Sequence, residues 1–199
     1  MKPSEIAKAY DQITHLWESE DFNRENGVEA HKRAIAFVKN RGAALDVGCG
    51  CTGRFIDLLL EHNFVPEGVD ISEEMIVLAR KNHPEITFYQ QDICEWHLPQ
   101  KYDFITAWDS IWHIPLAQQE SVLKKLVTSL NKNGVLIFSC GGTEEAGEHR
   151  DDFMGPEVYY SSLGIDGFLS LFLSLDCSCR HIEYDQYPEL HTYFIVQKN

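Results

Sequence analysis

No apolar run in the chain approaches the roughly 20 residues that a membrane-crossing helix needs, and Met1 to Tyr10 is too polar for a signal peptide. A cytoplasmic protein with no membrane partner is therefore expected. Basic residues are scarce, 17 Lys and Arg against 31 Asp and Glu for a formal net charge of -14. A protein that neutralises phosphates carries the opposite balance, so no nucleic-acid partner is expected and a small molecule is the better one. Lys124, Lys125 and Lys132 are expected to be solvated lysines on a helix face. Internal repeats, low-complexity tracts and linkers are missing too, so residues 1–199 are expected to form one domain, as a monomer or homodimer. Cysteine is modest at six. Cys49 and Cys51 lie in a glycine-rich turn, and Cys177 and Cys179 occupy alternate positions of a predicted strand and so share a face. Reduced thiols are expected, and no metal site.

What is present is a glycine-rich segment, Leu45-Asp46-Val47-Gly48-Cys49-Gly50-Cys51-Thr52-Gly53. Ala43 to Val47 is short and apolar, as a buried strand would be, and Phe55 to Leu60 opens a helical apolar pattern, so the glycines occupy a strand-to-helix turn. Backbone N–H groups there can approach a ligand closely. The spacing Gly48-x-Gly50-x-x-Gly53 also satisfies a dinucleotide fingerprint, with Asp70 where a ribose-binding acid is expected. Asp46 separates the two readings. A pyrophosphate at the turn would be repelled by a carboxylate two residues before the first glycine, whereas a cationic or zwitterionic ligand would be attracted.

Past the turn, strand-like runs (Val65 to Ile71, Ile86 to Gln91, Tyr102 to Trp108, Val135 to Cys140) alternate with helical stretches at about Thr52 to Asn63, Ser72 to Asn82 and Leu116 to Leu130. This predicts an α/β sheet, mostly parallel, with helices on both faces. Asn133-Gly134 is expected to stop the third helix. A helix at Ile165 to Leu175 leads to two strand-like runs, Cys177 to Gln186 and His191 to Gln197, joined around Pro188 as an antiparallel hairpin.

The glycine turn with Asp46, together with this terminal hairpin, resembles the class I SAM-dependent methyltransferases over roughly residues 30 to 199. The resemblance implies a Rossmann-like, seven-stranded sheet of order 3-2-1-4-5-7-6 with a C-terminal antiparallel hairpin, and S-adenosyl-L-methionine (SAM) as cofactor. It places Asp46, Gly48, Cys49, Gly50 and Gly53 around the methionine part, and Asp70 on the ribose. Asp92 and Ile93 fall at the adenine, with Ile71 and Met75 as walls of its slot and Trp108 close by. Where most members carry a third glycine this chain has Thr52, which can cap the following helix. Residues 1–30 are expected as an added helical cap or lid, and Tyr10-Asp11 resembles the Tyr-Asp that opens many members.

For the acceptor, the segment after the fourth strand offers His113 as a general base, and Trp108 and Trp112 as an aromatic wall for a flat or cationic molecule. It lacks the Asn/Asp-Pro-Pro-aromatic motif of amino-group methylases acting on DNA or on protein glutamine. The mixed stretch Gly141 to Pro156 reads as a long loop walling the acceptor site. Tyr10, Trp17, His149 and Tyr159 complete the candidate substrate contacts. Two other functions stay open on sequence: a SAM-binding regulatory protein without transferase activity, and an NAD-dependent oxidoreductase.

Overall fold

Four consecutive residues of Ala43–Val47 (β1), Ala44 to Val47, are buried, so both faces of this strand are covered and it belongs in the middle of a parallel sheet. The computed structural model describes Met1–Asn199 throughout. Val65–Asp70 (β2) and Tyr102–Ala107 (β4) flank β1 in parallel, and Thr87–Gln90 (β3) and Leu130–Gly141 (β5) extend the sheet on either side, also in parallel. His191–Lys198 (β9) then pairs antiparallel with β5, and Cys177–Glu183 (β8) antiparallel with β9. The order is β3-β2-β1-β4-β5-β9-β8, the expected sheet with its terminal hairpin.

Helices pack on both faces. Val28–Ile35 (α3) and Arg54–Glu61 (α4) cover one, burying Ala34, Phe55 and Leu59 against Phe104 and Ile137. Glu73–Asn82 (α5) joins α4 on this side through Ile76, Ala79 and Ile56. Leu116–Thr128 (α6) and Ile165–Ser174 (α7) cover the other face, where Phe138 and Phe194 stack at 5.3 Å beneath Phe168 and Phe172. The N-terminal helices Pro3–Asp11 (α1) and His15–Glu18 (α2) lie at the carboxyl ends of the strands.

Two sequence expectations change. The stretch after β5 is not an open loop: Gly147–Asp151 (β6) and Val158–Ser162 (β7) pair as a separate two-stranded hairpin. Its first strand, Gly-Glu-His-Arg-Asp, has no buried face and so shows no apolar alternation to announce it. Asn133-Gly134 does not stop α6, which ends at Thr128, but kinks β5 from within. Asn133 has φ 62°, and a Cβ on Gly134 would press within 3.0–3.2 Å of three backbone oxygens. Cys177 and Cys179 pair in unbroken register with Lys198 and Val196 and so share a face as expected, Cys177 buried and Cys179 exposed.

Candidate active site

The turn between β1 and α4 places Gly48, Gly50 and Gly53 all at left-handed φ (70°, 55° and 68°), which is why glycine recurs there. A Cβ on Gly48 would fall 2.2 Å from Ser110 Cβ, and one on Gly53 2.0 Å from the His83 ring, whereas Gly50 faces open space. Gly53 is the residue that starts α4. Thr52 offers only a long 3.5 Å contact to Arg54 N and does not cap the helix. The third glycine is therefore displaced by one residue rather than lost.

Asp70, at the end of β2, ties this turn to the next helix: Gly50 N and Ser72 N donate to its two oxygens, each at 2.9 Å. Burial raises its pKa, and those N–H donors hold the rise back. Ser72, not Asp70, caps α5 through Met75 N at 3.1 Å. After β3, Cys94 N donates to Asp92 Oδ1 at 2.8 Å. The Ile93–Trp96 segment is pinned by Lys125, whose ammonium donates to the carbonyls of Ile93, Cys94 and Trp96 at 2.5, 3.1 and 2.9 Å. Lys125 is thus a structural clasp, not the solvated face residue expected.

These groups open into one cavity of about 430 Å³ at the carboxyl ends of the strands. Asp46, Gly48, Cys49, Gly50, Asp70, Ile71, Met75, Asp92, Ile93 and Trp108 line it; of the proposed cofactor residues only Gly53 does not. Asp46 is 3% exposed and receives no hydrogen bond from the protein. Burial pushes its carboxyl up to about 7 against the pull of the Arg54 guanidinium.

Tyr10, Trp17, Trp112 and His113 line the same cavity. His113 is buried. Its Nδ1–H donates to the Tyr159 carbonyl at 2.7 Å, so Nε2 is the acceptor for Tyr10 Oη–H at 2.7 Å and Trp112 Nε1–H at 2.9 Å. Burial lowers its pKa to about 4. The expected general base therefore has no free lone pair, and its geometry is that of a bracket holding Tyr10 and Trp112. His149 and Tyr159 are also corrected. His149 is 67% exposed and stacks on the outer side of Tyr160, away from the cavity. Tyr159 points into the protein, donating to Glu148 at 2.6 Å and accepting from Leu116 N at 3.0 Å. Side chains alternate along β7, so it is Tyr160 that reaches the cavity.

Arg54, Asp109 and His191 also line the cavity, and the sequence reading assigns none of them a role. Asp109, at φ 51° just past β4, accepts from His191 Nε2 at 2.9 Å and from Ser139 Oγ at 3.1 Å on one oxygen. His191 Nδ1 donates to Asp185 at 2.5 Å. Burial works against its charge, but Asp109 and Asp185 outweigh it and hold its pKa above the ordinary value. Arg54 stacks over Phe55 and Phe22, 4.5 and 5.1 Å from the ring centres. Adjacency to the glycine turn was the one available signal for Arg54; nothing local marks His191.

The sheet order, the terminal hairpin and a glycine turn bordered by strand-end acids define a class I methyltransferase fold. Residues 44–134, a little under half of the chain, match the family model described as "Methyltransferase domain". It is similar to a dTDP-3-amino-3,6-dideoxy-alpha-D-glucopyranose N,N-dimethyltransferase from Streptomyces fradiae, 27% identical over 160 residues, covering 72% of this chain and 61% of that enzyme. A ubiquinone biosynthesis O-methyltransferase from Coxiella burnetii is 36% identical over 101 residues, 48% of this chain and 42% of that enzyme. The chain thus spans less than two thirds of the length of these curated relatives. Magnesium protoporphyrin IX methyltransferase from Synechocystis PCC 6803, solved with bound SAM, shares the fold at TM-score 0.75 and 16% identity, over 100% of this chain and 98% of that one.

The cavity's own residues fit SAM. A buried, unpartnered carboxylate at Asp46 suits a sulfonium and an ammonium and would repel a pyrophosphate. The open side of Gly50 leaves room for backbone approach.

Proposed function

We infer that this protein is a SAM-dependent methyltransferase acting on a small-molecule acceptor. The observation that carries the reading is Asp46, a carboxylate enclosed beside the glycine turn with no protein partner. In this reading Asp46 and the turn Gly48–Gly53 hold the methionine part, with Gly50 allowing close backbone approach while the Cys49 and Gly50 N–H groups fix the turn through the Val69 carbonyl and Asp70. Asp70 takes the ribose hydroxyls, Asp92 and the Ile93 N–H take the adenine edge, and Ile71 and Met75 sandwich its faces. Bound SAM supplies a methyl carbon on a positively charged sulfur. The protein's work is then positioning and water exclusion. Trp108, Trp112, Tyr10 and Trp17 wall the acceptor, and His113 holds Tyr10 and Trp112 in place.

Residues 1–30 act as a cap of the one domain 1–199: Tyr10 reaches His113, Asp11 accepts from Ser72 Oγ at 2.6 Å, and Arg24 donates to the Thr52 carbonyl at 3.2 Å. The relatives' sugar and ubiquinone names support a small acceptor. The net charge of -14 supports a protein without a nucleic-acid partner, and no helix is long and apolar enough to cross a membrane. We place its work in the cytoplasm, as a monomer or homodimer. The test is release of S-adenosylhomocysteine from SAM across a panel of small amines, phenols and alcohols. Turnover with any of them supports transfer, whereas tight SAM binding with no release would favour a regulatory SAM-binding protein.

A further inference from the structure

We propose that the acceptor end of the cavity is built for an amine that is protonated in solution, bound as its ammonium by the free oxygen of Asp109. The inference rests on the methyltransferase reading and names the acceptor class for it. The two oxygens of Asp109 are unequally served. Oδ1 takes both the His191 and Ser139 bonds, at 2.9 and 3.1 Å. Oδ2 has only Asn26 Nδ2 at 3.5 Å and Arg54 at 3.9 Å, both long, and Asp109 lines the cavity.

Arg54 does not close on it, because its guanidinium is stacked between Phe22 and Phe55. His191 lies between Asp109 and Asp185, so the three groups together carry one net negative charge when the imidazole is protonated. The surrounding surface is aromatic, with Trp112 edge-on to His191 at 5.5 Å and Tyr160 at 6.1 Å from Trp112. Such walls favour an organic cation over a hydrated metal ion. An anionic acceptor meets Asp46, Asp70, Asp92 and Asp109, with Arg54 the sole lysine or arginine in the lining.

An ammonium cannot attack carbon until it loses a proton. Oδ2 of Asp109 receives that proton, leaving a neutral amine and a carboxylic acid. The freed nitrogen lone pair then forms the new N–C bond as the C–S bond breaks, its electron pair going to sulfur. Asp109 is thus a catalytic residue, and Asp185, acting through His191, a positioning one.

The test uses the full chain saturated with S-adenosylhomocysteine and titrated by calorimetry with benzylamine or benzyl alcohol near neutral pH. Benzylamine is expected to bind about tenfold tighter or more, and the preference to shrink to about twofold in Asp109→Asn. In the unmodified protein the preference also disappears above the amine's own pKa, an arm that stands even if Asp109→Asn fails to fold. No amine preference, or one that persists in Asp109→Asn, overturns the proposal. Failure of S-adenosylhomocysteine itself to bind would instead remove the methyltransferase reading on which it rests.

Discussion

Asp46 illustrates how one side chain can work against the fold and for a ligand. In the free protein its folded pKa of about 7 lies above the unfolded carboxylate value, so the penalty for ionising it grows from about pH 4 and is complete above about pH 7. A cation seated beside it favours the ionised form. Affinity for SAM should therefore rise as pH climbs through about 7, with a proton released on binding below that. Calorimetry in buffers of different ionisation enthalpy reads both quantities, and a flat affinity across that range would count against the assignment. Asp46→Asn should weaken SAM binding by about 2 kcal/mol yet raise the melting temperature of the free protein at alkaline pH. Asp70→Ala is expected to cost about 1.5 to 3 kcal/mol of SAM affinity, since it removes a ribose acceptor and also the anchor of Gly50 N and Ser72 N. An unchanged affinity would show the ribose to lie elsewhere.

At the scale of elements, α1 and α2 cover the cavity without extensive burial of their own. Tyr10 and Asp11 pin α1 to His113 and to the start of α5, and Ile6, Leu16 and Trp17 face the cavity. Ile6 also packs on Val158 and Tyr159, but α2 buries no side chain, so this segment opens at lower cost than the sheet until a ligand fills the space beneath it. Binding of S-adenosylhomocysteine should slow amide hydrogen exchange across Pro3–Glu18 by about tenfold or more, read by mass spectrometry on peptides; unchanged exchange there would remove the lid role. Two of the strands that carry cofactor residues were legible in the sequence because their apolar ends run into a glycine or an acid, at Val47-Gly48 and Val69-Asp70. The β6–β7 hairpin was not. Glu148, His149 and Arg150 are all exposed, so the strand carries no buried stripe for periodicity to report. The choice between the neighbours Tyr159 and Tyr160 fell on Tyr159 for the same reason: without knowing that the segment is a strand, its alternation cannot be assigned.

The whole molecule brings together residues that no local pattern connects. His191, Asp185 and Asp109 meet across more than 70 positions of chain, and His113 meets Tyr10 across 103. Such contacts follow from sheet order, not from spacing, so the acceptor end was the less legible half of the site. A global consequence concerns acid stability. Burial lowers the pKa of His31 to about 3 and that of His113 to about 4. His31 is locked as a neutral ring between the Gly27 carbonyl and Thr106 Oγ1, both at 2.7 Å. Their folded pKa values lie below the unfolded one, so the stability they contribute is full above about pH 6.5 and is lost as pH falls toward 4. Near pH 5 each costs about 2 kcal/mol, and the relief of Asp46 returns roughly half of the total. Urea unfolding near pH 7.5 and pH 5 should show a net loss of about 2 kcal/mol. Imidazole spectra should show both rings still neutral near pH 5, and titration of either with an ordinary midpoint would contradict the burial described.

The turn headed by Asp46 suits a cationic cofactor rather than a pyrophosphate. Parallel calorimetric titrations of the same protein with SAM, S-adenosylhomocysteine and NAD test it most directly. SAM and S-adenosylhomocysteine should bind with dissociation constants of about micromolar order, and NAD should give no measurable heat of binding. Tight NAD binding without SAM binding would contradict it.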